Sequence, residues 1–272
     1  MEERLGIEEL LSWLKERSPH FSIHPSVRPI HYPETGWGLG AVEDGEDVQD
    51  GSLILRIPAN SIVTSRLILE GPLYPVFQSF PKLLSAFDAV VLWVYTESHR
   101  GSASDWAPFI ATLPKAFGNP IFSSSQCAED YPASCRQRLL DQIAEIESLK
   151  QRMEKVWSMV MECGGEVELE ENHLLWSWAV VNTRCVFHET PLHPLLDGGS
   201  EEQDGIALIP LFDFFNHDTR PTVKSSFIRK RDTYETYSER FHYAATQTQL
   251  FVSYGPHTNA RLLFEYGFAN YF

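Results

Sequence analysis

Residues 209–217 read IPLFDFFNH. The apolar run is broken once, by Asp213, and then ended by Asn216 and His217. Two readings stand side by side. In the first, a buried strand ends in an Asx-type turn, with Asp213 capping neighbouring amides. In the second, the strand end is a polar pocket able to take both amine and carboxylate groups of a ligand.

The flanking sequence has strand texture. GIALIP (205–210) leads into the run, and TVKSSFIRK (222–230) and FHYAATQTQLFVSYG (241–255) follow it. The last segment, HTNARLLFEYGF (257–268), reads as a helical turn capped by Thr258 or Asn259. On the other side, HETPLHPLLDGGSEEQDG (188–205) is rich in Pro, Gly and acids and predicts an exposed loop. Before it the period becomes helical from Ser65 to Phe187. A mostly apolar helix is expected over 83–98, a long one over 134–161, and a third over 172–187 with Asn172 as N-cap.

Strand texture returns further toward the N-terminus. Gly36, Gly38 and Gly40 precede an alternation of Leu53, Leu55 and Ile57, with a turn at Asp50-Gly51 and a stop at Pro58. Residues 5–17 place Leu10, Leu11, Trp13 and Leu14 on one helical face. Neither β half is large enough to make a core alone, so the two must fold together around the helices. The expectation is an α+β protein. Its parts are an N-terminal helix with the first β part (1–65), a helical insertion (66–187) and a second β part carrying the site motifs (188–272).

With 272 residues, 43% of them hydrophobic, the chain is large enough for a substantial core. Its 22 basic and 37 acidic residues give a net charge of −15. That balance lacks the basic stripe nucleic acid requires, and it suits a basic partner. No apolar stretch reaches membrane-spanning length, and MEERLGIEEL is too acidic for a signal peptide. The four cysteines, Cys127, Cys135, Cys163 and Cys185, show no C-x-x-C pairing. Neither zinc nor a disulfide framework is expected, and a reducing compartment, cytoplasm or nucleus, is.

Other motifs carry less. GWGLG (36–40) lacks the strand before and helix after that a dinucleotide loop needs. Its glycines instead allow a tight turn or a close approach of backbone to a ligand. His188 and His193 are five apart with Pro191 between them, so they cannot share a helical face around a metal. Tyr254 in VSYG and Tyr266 in EYGF are packing residues with a wet hydroxyl, or part of an aromatic channel for an amine.

Taken in order, GWGLGA, WAPFIATLP, WAVVNTR, LIPLFDFFNH and SYGPHTNARLLFEYGF resemble the SET-domain protein methyltransferases. The subgroup is the Rubisco large-subunit methyltransferase type, a SET fold of short sheets interrupted by a helical insertion. The resemblance runs from about Val27 to Phe268. It implies transfer of a methyl group from S-adenosylmethionine to a nitrogen of a protein substrate, most often lysine, leaving S-adenosylhomocysteine, with no metal.

By position, the resemblance assigns Trp37, Gly38, Leu39, Arg184, Asn216, His217 and Phe268 to the cofactor. It assigns Asp213, Tyr254 and Tyr266 to the substrate channel, with Tyr254 as catalytic tyrosine. Members of the subgroup also act on histidine, and a SET fold can persist as a non-catalytic binding module. A monomer is expected. Three departures stand out. Thr183 replaces a usual serine, Phe227 falls near a usual tyrosine, and the chain stops at Phe272, before the family's further substrate-binding domain.

Overall fold

The computed structural model describes residues 2–42, 47–123, 129, 131–164, 168–198, 203–239 and 247–270. The chain begins with α1 (Glu2–Arg17) and four strands, β1 (Ser22–Ile23), β2 (Val27–Tyr32), β3 (Gly36–Val42) and β4 (Leu53–Pro58). A short strand β5 (Val63–Thr64) opens a run of helices. These are α2 (Ser65–Leu69), α3 (Tyr74–Ser79), α4 (Ala86–Arg100), α5 (Ala107–Ile110), α6 (Ala133–Glu162) and α7 (Glu171–Arg184). Strands then return as β6 (Thr190–Pro191), β7 (Gln203–Asp204), β8 (Ala207–Leu208), β9 (Asn216–His217) and β10 (Val223–Ile228). After them come β11 (Thr233–Ser238), β12 (Gln247–Gln249), β13 (Phe251–Val252) and helix α8 (Asn259–Tyr266).

These elements form two compact units, Met1–Ile62 with Ile209–Pro256, and Val63–Leu208 with His257–Phe272. In the first, β1, β4, β11 and β10 make one sheet in that order, and β12, β3 and β2 make another. The strands on either side of the Asp50-Gly51 turn therefore belong to different sheets. Leu39, Ala41, Ile54, Leu55 and Ile57 are buried between them and their neighbours. Each such leucine or isoleucine contributes about 1.5–3 kcal/mol when fully removed from water.

Strand β11, TYETYS, carried no clear apolar alternation, yet it pairs with both β4 and β10 and is almost wholly buried. The reason is Glu235, fully buried on β11 between Arg56 and Arg231. Arg56 Nε donates to it at 2.8 Å, and Thr233 and Tyr237 add hydroxyl donors. Burial pushes the carboxyl up, but the bonds from Tyr237, Arg231, Arg56 and Thr233 outweigh it and hold the group at about 2.

In the second unit α4 is the central element, its Val90, Val91, Leu92, Val94 and Tyr95 buried. Ser85 and Asp88 close a reciprocal capping box at its start. Asp88 also accepts both prongs of Arg152 from α6 at 2.8 Å. Tyr95 joins α4 to the α6–α7 connection: its hydroxyl donates to Glu168 O and accepts from Glu170 N, both at 2.8 Å.

That bond corrects the expected helix start. Asn172 lies inside α7, which begins at Glu171 without a side-chain cap, because the Tyr95 hydroxyl takes up the Glu170 amide. The helix also ends at Arg184 rather than 187, since Val186 turns out to bond with Ala207. Segment 188–205 is more than an exposed loop. β6 pairs with β7, Thr190, Leu196 and Asp204 are buried, and Leu195 and Asp197 bond to the chain at Lys82 and Leu84. Residues 199–202, Cys127 and most of FHYAATQ lie outside the described residues.

Candidate functional site

IPLFDFFNH is not one strand. β8 stops at Leu208, and Leu211 sits at φ 68°, a left-handed conformation unusual for a branched residue. A single 3-10 turn over Phe212–Phe214 follows, carrying the buried Asp213, and the chain then re-extends as β9. The turn present is this 3-10 one, with Asp213 N held by Ile209 O at 3.2 Å, rather than the Asx-type turn of the first reading.

β9 pairs in parallel with β13, setting Asn216 beside Phe251 and His217 beside Val252. The parallel register carries the chain onward so that Tyr254 returns to His217. The Tyr254 amide donates to His217 Nδ1 at 3.1 Å, and the two rings lie 5.2 Å apart. Nδ1 is therefore an acceptor, and the neutral ring carries its proton on Nε2. The Tyr254 hydroxyl donates to Phe215 O at 2.8 Å. With its own proton spent there, the phenol oxygen presents lone pairs to an incoming N–H.

The other wall is β3. Asn216 Nδ2 donates to Trp37 O at 3.2 Å, and Leu250 N donates to Leu39 O at 2.8 Å. Gly36 needs its freedom for the turn, at φ +74°. Gly38 needs its small size: a Cβ there would collide with Gln249 Nε2 and stand 2.9 Å from Asn216 Nδ2. Trp37, Gly38, Leu39, Asn216, His217 and Tyr254 thus converge in one unit. His31 packs edge-on against the Trp37 ring, 5.5 Å away.

Arg184, Tyr266 and Phe268 belong to the other unit. Arg184 ends α7, and Tyr266 ends α8. Helix α8 is capped by Thr258 at one end and by Gly267 in the left-handed conformation at the other. Tyr266 lies between His257 and Phe268, with centroid distances of 6.0 and 6.3 Å. Burial pushes its phenol up, partly countered by Arg261.

Three amides that the sequence reading passed over hold the end of α8. Asn119 and Gln142 donate to Phe264 O at 2.9 and 3.0 Å, and Asn182 donates to Glu265 O at 2.9 Å. They satisfy carbonyls that a helix C-terminus leaves open. Asn182 lies in WAVVNTR, so that motif positions α8 as well as presenting Arg184. Thr183, the departure from serine, turns its hydroxyl back to Ala179 O at 2.7 Å. Phe227 lies on β10 opposite Tyr234, whose buried phenol is pushed up to about 12.

Among the described residues no group of three or more His, Cys, Asp or Glu side chains is placed to hold a metal ion. Among the described residues, no helix is long and apolar enough to cross a membrane.

The chain is 29% identical over 268 residues to SET domain-containing protein 4 of Homo sapiens, covering 96% of this chain and 58% of that protein. It is 26% identical over 271 residues to the ribosomal lysine N-methyltransferase set11 of Schizosaccharomyces pombe, covering 98% and 62%. The SET domain of LSMT, solved with lysine and AdoHcy, matches with a TM-score of 0.78 at 16% identity, over 98% of this chain and 58% of that one. No family model matches the chain. It spans about three-fifths of the length of the curated relatives it matches. Motif order and topology agree, and this chain has the SET fold, in the Rubisco large-subunit methyltransferase arrangement.

Proposed function

We propose that the chain is the SET portion of an S-adenosylmethionine-dependent protein N-methyltransferase acting on a lysine side chain. The observation that supports this most is the convergence of Gly38, Asn216, His217 and Tyr254 in one unit through the bonds described above. The named relatives point the same way: one is a ribosomal lysine N-methyltransferase, and the solved neighbour is bound to lysine and AdoHcy.

The residues fit the cofactor. Gly38 brings side-chain amides within reach of the β3 backbone, and Asn216, having donated Nδ2 to Trp37 O, keeps its Oδ1 as an acceptor for an ammonium. Trp37, Gly38, Leu39, Asn216 and His217 would hold it here. Arg184 and Phe268 carry the cofactor role, and Asp213 and Tyr266 the substrate role, that the sequence motifs assign them. When bound, the sulfonium supplies an already activated methyl group.

What remains for the protein is orientation and a dry approach. A lysine amine has an ordinary pKa near 10.4 and must be neutral to react, and desolvation favours that form. The Tyr254 oxygen, whose proton is directed at Phe215 O, would accept from the amine N–H and aim its lone pair. This makes Tyr254 an orienting group rather than a base.

Titration calorimetry with S-adenosylmethionine tests the reading. Binding by the wild-type chain and its loss in Asn216→Ala are expected, and no binding by the wild type would end it. Mass spectrometry of a methylated protein extract then identifies the acceptor; modification of histidine alone would replace lysine with the imidazole reading.

A further inference from the structure

Gln249, the last residue of β12, is not among the residues that the sequence motifs assign to the cofactor. It pairs opposite Gly40, so its side chain reaches along β3 toward Gly38. Thr35 Oγ1 donates to Gln249 Oε1 at 3.1 Å, and this turns Nε2 inward. There Nε2 is buried beside Gly38 and the Asn216 amide and has no hydrogen-bond partner among the described residues. A buried amide N–H₂ left unpaired costs about 1–3 kcal/mol. Such a group in a sheet calls for an acceptor that the described residues do not supply.

The same strand face repeats the pattern. Gly36, Gly38 and Gly40 share it by the two-residue period. Over Gly40 lies the Tyr32 hydroxyl, also buried and without a partner among the described residues. Two polar atoms converging on a glycine face, neither satisfied by the described residues, fit a polar ligand better than simple packing.

An N–H₂ donor rejects the sulfonium and the ammonium of the proposed cofactor, so its match is an acceptor. The carboxylate is the strongest acceptor on that molecule, and charged acceptors make the shorter, stronger bonds. Asn216, whose Nδ2 lies beside Gly38 with Gln249 Nε2 and donates to Trp37 O, leaves its Oδ1 as the acceptor for the ammonium, so the two amides suit a zwitterionic amino-acid end. We propose that Gln249 is a cofactor-positioning residue whose Nε2 donates to the carboxylate of the bound cofactor. This rests on the methyltransferase reading above.

The test compares S-adenosylhomocysteine with its decarboxylated analogue by titration calorimetry, on the wild type, Gln249→Met and Gln249→Glu, with thermal melts to confirm folding. One lost bond to a charged group predicts roughly tenfold or greater weakening of S-adenosylhomocysteine by Gln249→Met. Binding of the decarboxylated analogue should stay within about twofold, because the absent bond is one that the analogue cannot make. Gln249→Glu, which sets two carboxylates together, should discriminate more strongly in the same direction. Equal weakening of both ligands, or of neither, in the folded variants overturns the proposal while leaving the methyltransferase reading standing. A wild-type chain that binds neither ligand overturns both.

Discussion

The backbone amide of Tyr254 donates to Nδ1 of His217 across 37 residues of chain, at 3.1 Å. One bond thus sets the tautomer of the histidine and the position of the tyrosine whose hydroxyl is held by Phe215 O. The orientation of that hydroxyl comes from backbone, so it survives changes in most side chains nearby.

Tyr254→Phe removes the acceptor while keeping the ring. Methyl transfer should fall about 10²-fold, the usual loss for one positioned hydrogen bond at a reacting group. Cofactor affinity by calorimetry should be unchanged. An unchanged rate would place Tyr254 away from the reacting nitrogen.

Gly38→Ala should abolish cofactor binding and lower stability by roughly 1–3 kcal/mol, the cost of overpacking a filled site. The new Cβ would press on both the Gln249 and Asn216 amides. Gly36→Ala, where nothing lies within 4 Å of a Cβ, should act through the backbone alone because of its positive φ. Calorimetry and urea melts separate the two: retained binding in Gly36→Ala and loss in Gly38→Ala is the expected pattern.

Asn182→Ala should destabilise by about 1–2 kcal/mol, leaving the Glu265 carbonyl without its donor. The effect belongs at the end of α8, so amide exchange should quicken at residues 263–268 before it changes in α4. Uniform acceleration throughout the chain would mean that the amide does not act locally.

Glu235→Gln leaves Arg56 and Arg231 without their shared counter-charge. A fully buried pair would lose 3–5 kcal/mol; both arginines retain solvent contact here, so roughly 2 kcal/mol is expected. The wild-type carboxyl, held at about 2 against an ordinary 4.5, contributes stability that is complete above pH 4.5 and is lost as pH falls toward 2. Denaturant midpoints measured across that window should fall in the wild type and flatten in Glu235→Gln.

A second acid-sensitive window lies higher. His173 packs 4.1 Å from His99, and desolvation and that neighbour lower it from 6.5 to about 4. The unfolded chain binds the proton first, so stability should decline as pH falls from 6.5 to 4. His173→Gln keeps an amide partner for Ser98, whose hydroxyl lies 2.7 Å from His173 Nε2, and should remove the decline. Thermal melts at steps through this range check it; an equal slope in the variant would assign the sensitivity elsewhere.

Helix α6 was legible because its buried residues follow one helical period, α4 because its continuous apolar run is long enough for a buried helix, and Thr258 because it caps α8 by a bond only three residues long. β11 was not legible, because Glu235 is tolerated in its interior only through arginines brought from β4 and the β10–β11 turn. Asn172 misled for a similar reason: the Glu170 amide is satisfied by Tyr95, 75 residues away, rather than by a local cap. Gln249 showed nothing in sequence, since an amide in a strand is unremarkable until Gly38 and Thr35 lie against it.

Local chemistry along the chain determined the strand–helix–strand order, the Thr258 cap, the glycine-bearing strand and the identity of the Asn216-His217 and Tyr254 motifs. Only the tertiary structure decided that His217 is a neutral acceptor, that the Tyr254 proton is committed to a backbone carbonyl, and that the Gln249 donor is buried beside Gly38. The division follows from range. Propensity and periodicity act over a few residues, whereas the protonation and satisfaction of a buried polar group depend on partners that only folding brings within 3 Å or so of it.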